Sequence, residues 1–405
     1  MKNSLSLLHS AIEQNSLQNS LPKGLVYLFA VASGLSVANV YYAQPLLNSL
    51  SRDFHISDAA IGGVITATQV GSILALLLLV PLGDKMKRRH LMGWQLSALV
   101  LSLLIVAIAK TPAMLLIGML AVGMLGTAMT QGLISYAASS AGTHEQGHVI
   151  GTAQGGVFIG LLLARVFSGA ISDLTSWRGV YLSSALLMLA IAYPLWRYLP
   201  QIDPPKNAMN YSTLLRSMAT LFKRQKVLQV RGFLALLMFA AFNIFWSALV
   251  IPLSDAPHYF SHTQIGALGL VGVVGALIAS RTGRLADYGY GQIVSFIALL
   301  LLTLSWLPIA FMDSSLWALI IGIILLDVGG QSLHVTNQSM IYCSEPEAHS
   351  RLVGLYMMFY AVGSGLGAVS STWIYAHAGW NGVCLLGVGV SAFALIFWWL
   401  TRHIR

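Results

Sequence analysis

Residues 151–179 read GTAQGGVFIGLLLARVFSGAISDLTSWRG, and residues 354–382 read GLYMMFYAVGSGLGAVSSTWIYAHAGWNG. Laid side by side, they match Gly151 with Gly354, Gly160 with Gly363, Trp177 with Trp380 and Gly179 with Gly382, each pair 203 residues apart. Further out, Asp84 returns as Asp287 at the same spacing, while Ile61-Gly62 and Gly71 return as Ile265-Gly266 and Gly275 at 204. In a chain with 38 glycines a single pair means little. A nearly constant offset over more than a hundred residues means that the second half repeats the first.

Composition sets the medium in which the halves fold. The chain is 57% hydrophobic and 9% charged, with a mean hydropathy of +0.75. A soluble domain carries roughly 25% charged residues, so this chain has too few to cover a water-facing surface. Apolar stretches long enough to cross a bilayer as helix lie near 24–46, 60–82, 91–110, 112–138, 148–172 and 178–198, then 229–252, 262–282, 290–311, 315–341, 350–375 and 380–401. The expected fold is therefore an all-α integral membrane protein of twelve transmembrane helices in two six-helix pseudo-symmetric halves. Its parts are a cytoplasmic tail 1–22, a first half 23–198, a cytoplasmic connector 199–228 and a second half 229–405.

The basic residues orient the bundle. Of 22 Lys and Arg, only Arg52, Lys110 and Arg178 fall in the odd-numbered loops, and Arg165 falls inside a helix. The other 18 are assigned to the termini and the alternate loops, which places both termini and the connector in the cytoplasm. The net charge of +9 is then the mark of membrane orientation and not of nucleic-acid binding. The tail lacks a continuous apolar core, so no cleaved signal peptide is expected. The basic amphipathic run Leu214 to Leu228 is expected along the inner leaflet. Cys343 and Cys384 fall near opposite membrane faces and have no metal-ligand company, so neither a disulfide nor a metal or other cofactor is expected.

Charge inside a bilayer is costly and marks function. Arg165 in the fifth helix and Asp327 in the tenth lie at roughly 11 and 15–18 Å depth at about 1.5 Å per residue, close enough in level to share one cavity. They either pair directly or bind different groups of a substrate; a buried ion pair that only fixes packing is the structural alternative. Gln331, His334 and Gln338 follow Asp327 at steps of 4, 3 and 4, on one helix face with Asn337 beside them. Asp327 and His334 are the groups there most able to change protonation, which makes them the candidates for proton coupling. Asn39, Tyr41, Tyr42 and Gln44 in the first helix, Gln69 in the second, Gln131 in the fourth, and Asn243 and Trp246 in the seventh supply amides and rings suited to a partly apolar solute. Gly363, Gly365 and Gly367 form a GxGxG that mid-membrane placement assigns to helix packing, not to a nucleotide.

The loop after the second helix reads Gly83-Asp84-Lys85-Met86-Lys87-Arg88-Arg89 and resembles the signature loop of the major facilitator superfamily. Val80 and Lys87 replace two of that motif's glycines, while the second copy, Gly283-Arg284-Leu285-Ala286-Asp287, keeps its Gly and Asp and lacks the paired basics. The resemblance implies a cytoplasmic latch of Asp84, Arg88, Arg89, Gly283 and Asp287, in which the acid faces a helix N-terminus of the other half. The fifth helix is similar to the family's antiporter motif at Gly151, Gly160 and Gly169, with Ala164, Arg165 and Ser168 in place of Gly, Pro and Gly. Gly354, Gly363 and Gly367 continue the packing ladder in the second half.

Over residues 22–401 the chain thus resembles bacterial efflux permeases of the drug:proton antiporter type. That resemblance implies a monomeric secondary transporter in a bacterial inner membrane. It would export a small organic solute against protons as the halves rock around a central site. A proton-coupled importer of a sugar or organic anion on the same scaffold is the alternative, and a transporter-like sensor the third reading. No metal-ligand cluster, Ser-His-Asp set or phosphate loop points to an enzyme.

Overall fold

The computed structural model describes residues 21–141, 145–200, 211–342 and 349–404, so most of the tail, part of the connector and Cys343 lie outside it. Among the described residues every regular element is a helix. The first half comprises α1 (Lys23–Tyr41), α2 (Gly63–Leu74, with further helical turns to Asp84), α3 (Arg88–Ala107), α4 (Pro112–Ser140), α5 (Gln146–Leu174) and α6 (Trp177–Tyr198). A connector helix, Tyr211–Arg224, leads into α7 (Lys226–Ala248). Then come α8 (His262–Leu268, continuing through Gly269–Gly272 and Val273–Leu285), α9 (Gly291–Leu304), α10 (Leu316–Tyr342) and α11 (His349–Thr401).

Among the described residues ten helices are long and apolar enough to cross a membrane. One of them, α11, has 53 residues. A straight helix of that length would span about 80 Å, against a hydrocarbon core of about 30 Å. It is not straight: Gly379 breaks it at φ 61°, a left-handed value that favours glycine. Beyond the break the chain folds back, because Ile404 packs on the cluster that holds Leu352, near the start of α11.

Several bonds define the face on which the described residues begin and end, here called the terminal face. The Leu21 amide donates to Glu145 before α5 (3.2 Å), the Tyr136 hydroxyl near the end of α4 bonds to the Pro200 carbonyl, and Trp398 donates to Gln292 at the start of α9 (2.9 Å).

The sequence repeat has a packing cause. A β-carbon at Gly160 of α5 would collide with the Gly34 backbone of α1, and one at Gly363 of α11 with the Leu236 backbone of α7. The same helix pair is therefore built twice, through glycines that let backbones touch without a side chain between them. Gly367 repeats the contact one turn on, against Ala240, and Gly169 lies against the His262 backbone of α8. Gly151 and Gly354, expected on the same ladder, depart from it. Gly151 meets nothing within 4 Å, and Gly354 only the Met218 side chain at 3.7 Å. The paired indoles also recur: Trp177 donates to Asp53 (3.0 Å) and Trp380 to the Ile309 carbonyl (3.1 Å).

One basic residue is misplaced by the positive-inside reading. Arg231 lies inside α7, 1% exposed, and donates to Ser295 (2.7 Å) and Asn337 (3.3 Å). It is a third deep charge, missed because it stands only five residues after Lys226, where a span edge is read as loop.

Candidate functional site

A cavity of about 260 Å³ lies between the halves. Its walls come from α1, α2, α4 and α5 on one side and from α7, α10 and α11 on the other. Gln131, Arg165, Asn243, Gln331, His334 and Gln338, named as candidates from the sequence, all line it. So do Gln44, Gln154, Thr127, Thr130 and Tyr360. Gln154 was open to discovery as an amide amid apolar residues of the fifth helix. The threonines carry no such signal, because a helical threonine can satisfy its hydroxyl on its own backbone, as Thr130 does on the Gly126 carbonyl (2.8 Å).

Arg165 closes the deep end of the cavity. Its Nε donates to Gln44 Oε1 (2.9 Å), and Gln44 Nε2 donates to Asn243 Oδ1 of the other half (3.2 Å). The guanidinium stacks over Trp246 at 4.2 Å and lies 5.8 Å from the ring centroid of Tyr41. A buried cation is thereby held by a ring quadrupole and an amide rather than by a direct carboxylate bond. Its Nη2 has no hydrogen-bond partner.

Asp327 does not join that cavity wall. It is 4% exposed and packs against α8, where a β-carbon at Gly272 would come within 2.9 Å of its Oδ2. Gly269, three residues earlier, stands 3.1 Å by the same measure from Arg165 Cδ. The two charges thus meet neighbouring glycines of α8 without a bond between them, and Asp327 Oδ2 is left without a hydrogen-bond partner. Below Asp327 the rest of its stripe reaches the cavity, where His334 Nδ1 lies 2.8 Å from the Tyr356 hydroxyl and its ring meets Phe239 edge-on.

Four other sequence candidates, Asn39, Tyr42, Gln69 and Trp246, are buried away from the cavity wall. Asn39 accepts from Ser184 (2.6 Å), tying α1 to α6, and Tyr42 stacks on Phe167 with 5.4 Å between centroids. Trp246 reaches the site only through Arg165.

The face opposite the termini is bonded across the halves. Asp173, at the end of α5, accepts from the Thr263 amide (2.8 Å) and hydroxyl (2.6 Å) and from the His262 amide (3.1 Å) at the start of α8. A carboxylate on a helix N-terminus gains from both the free N–H groups and the dipole. His262 continues the link, with Nδ1 on Asp173 (3.0 Å) and Nε2 on Ser49 (2.8 Å). Arg52 bridges to Asp255 at 2.9 Å, and Thr66 donates to the Gly365 carbonyl at 2.8 Å.

This helix-end arrangement resembles the one expected of the latch, but stands on the other face. The latch candidates Asp84, Gly283 and Asp287 lie outside the residues whose side chains are described. Arg88 bonds within its own half, to Ser135 (2.8 Å) and Ser139 (2.5 Å), and Arg89 bonds to the Trp196 carbonyl.

Comparison with known proteins agrees with this architecture. The model of the Major Facilitator Superfamily matches residues 29–325 and 231–405. The chain is 39% identical over 385 residues to the uncharacterized transporter YgaY of Escherichia coli O157:H7, covering 95% of this chain and 97% of the relative. It is 22% identical to a probable sugar efflux transporter of Helicobacter pylori strain ATCC 700392 / 26695, covering 92% and 93%. Among solved structures it superposes on a bacterial homolog of the human lysosomal transporter Spinster, inward-facing and occupied, with a TM-score of 0.80, 14% identity and coverage of 95% and 97%. The nucleoside transporter NupG gives a TM-score of 0.73 at 16% identity, covering 94% and 100%. At such identities these structures speak for the fold alone. The chain belongs to the Major Facilitator Superfamily, a family of multi-pass membrane transporters and not of enzymes.

Proposed function

We propose that the chain is a proton-coupled exporter of a small organic solute, working by alternating access in a bacterial inner membrane. The observation that carries this reading is the cavity between the halves, bounded at its deep end by Arg165, Gln44 and Asn243, with cross-half bonds closing the face beyond. It reaches toward the terminal face as far as Gln338, four residues before the end of α10. Counting both legs of α11 and the interrupted α8 as spans gives twelve helices. With the basic loops in the cytoplasm, the cavity then opens inward.

In this reading Asp327 carries the exchanged proton, His334 relays it at the cavity wall, and Arg165 with the surrounding amides holds the solute. Similarity to a probable sugar efflux transporter supports export. The alternative, import of an organic anion, is favoured by one observation: Arg165 is the charged residue of the cavity wall and its Nη2 is free.

Alternating access is tested with spin labels at His148 and Leu285, on the terminal-face ends of α5 and α8, in a chain whose Cys343 and Cys384 are replaced by alanine. Two distance populations that exchange weight with solute or pH are expected. A single distance under all conditions contradicts alternating access.

A further inference from the structure

Two grooves lie on the outer wall of the bundle at its terminal face. The first, about 490 Å³, is lined by Arg89, His90, Gly93, Trp94 and Ser97 of α3 and by Trp196 of α6. The second, about 450 Å³, is lined by Gln292, Ile293 and Phe296 of α9 and by Trp398, Arg402 and His403 at the end of α11. Shifted by 203, Arg89, His90 and Gly93 become Gln292, Ile293 and Phe296, so the grooves are the same place in the two halves.

Their cations come from different helices, and the second groove's own tryptophan is Trp398, next to the ring that Arg402 covers. Arg89, at the start of α3, stands over Trp196 with 5.5 Å from Cζ to the ring centroid. In the second half Gln292 holds Arg89's place, and the cation comes instead from the end of α11, where Arg402 stands over Trp399 at 5.6 Å. Trp196 and Trp399 are themselves a 203-residue pair, 65% and 57% exposed. Neither arginine has an acidic partner among the described residues. Gln292 Nε2, in the wall of the second groove, has no partner either.

Each groove opens onto apolar wall. The helices that line each groove also expose apolar side chains: Leu101 and Tyr193 for the first, Ile297, Ile396 and Leu400 for the second. A free phosphate would use the guanidinium and ignore that wall. A phospholipid uses both, with its phosphodiester on the guanidinium and its chains along the helices.

We infer that these grooves are two pseudo-equivalent sites for an anionic phospholipid headgroup, one per half, in the leaflet at the terminal face. Each sits on a helix pair that carries its own half of the bundle, α3 with α6 and α9 with the second leg of α11. A lipid in each would brace the outer rim of that half without entering the central cavity.

Native mass spectrometry of the purified full chain with phosphatidylglycerol tests this. Two retained lipids are expected in the unaltered protein and one in Arg402→Gln. Arg402 makes no hydrogen bond among the described residues, so this variant leaves the fold unloaded. Arg89→Gln combined with Arg402→Gln is expected to retain none. Gln292→Arg in the Arg402→Gln background copies the first groove's cation onto the second and is expected to restore the lost lipid. Equal retention in the double variant, equal retention of phosphatidylcholine by the unaltered chain, failure of Gln292→Arg to restore binding, or displacement of the lipid by inorganic phosphate would each overturn the assignment.

Discussion

Arg165 and Asp327 meet one face of α8 a single turn apart, at Gly269 and Gly272. A β-carbon at Gly269 would approach Arg165 Cδ to 3.1 Å, and one at Gly272 would approach Asp327 Oδ2 to 2.9 Å. The two glycines are one tight turn apart, about 6 Å along the axis. Guanidinium and carboxylate therefore face the same stretch of α8 without bonding to each other, and each keeps one buried polar atom unpartnered. Any shift of α8 against α5 or α10 changes the surroundings of both charges at once.

Gly272→Ala puts a methyl 2.9 Å from Asp327 Oδ2, closer than a carbon–oxygen contact allows. Overpacking of this kind costs about 1–3 kcal/mol, and transport is expected to fall severalfold or more. Gly151→Ala, where nothing lies within 4 Å, is the control. It is expected to leave transport intact and to leave the helix unchanged or firmer by up to about 1 kcal/mol. Transport rate and melting temperature in detergent, measured on both variants, check the contrast.

Arg165→Ala removes the donor to Gln44, and with it the chain that reaches Asn243 of the other half. Transport is expected to fall at least about tenfold, equivalent to about 1.4 kcal/mol, with membrane insertion retained. A variant that loses expression and transport in equal measure would assign Arg165 to packing.

Asp173→Asn keeps the shape of the helix-end contact while removing its charge. Hydrogen bonds to charged groups are worth about 1.5–3 kcal/mol each, so opening of the face opposite the termini is expected to become roughly tenfold or more favourable. Labelling of a cysteine introduced at Gln44 by an impermeant reagent from that side is expected to accelerate. An unchanged rate contradicts the seal.

Arg231 is buried, without a carboxylate partner among its bonds. Replacing a buried ion pair by apolar side chains of similar volume is often neutral or stabilising. Arg231, held among the described residues only by neutral acceptors, recovers less of its desolvation cost than a paired charge. Arg231→Met is therefore expected to hold or raise the melting temperature. Ser295→Ala keeps the charge and deletes its 2.7 Å acceptor, and is expected to cost about 1–3 kcal/mol.

Much of the architecture is legible in the sequence because glycine spacing reports backbone contact. The pair Gly160 and Gly363 marks a close helix contact in each half, which the structure shows to be α5 on α1 and α11 on α7. Helical periodicity likewise puts Gln331, His334 and Gln338 on the cavity wall. It gives a direction and says nothing of what stands there, so Asp327 points the same way into the glycines of α8 and not into open space. Those glycines, Gly266, Gly269, Gly272 and Gly275, recur every three residues in the sequence. Only Gly266 and Gly275 have counterparts in the first half, so the repeat alone does not single out that face of α8. Arg231 shows the other limit, since hydropathy cannot tell the edge of a span from its first buried turn.

In the proposed cycle a proton carried by Asp327 is exchanged for an organic solute. Proteoliposomes with an internal pH dye, exposed to proton gradients and a panel of cationic, neutral and anionic solutes, test it most directly. The account predicts that a transported solute drives protons in the direction opposite to its own flux, and that Asp327→Asn, still inserted, abolishes this movement. Measured solute flux without proton movement, or full coupling in Asp327→Asn, would contradict it.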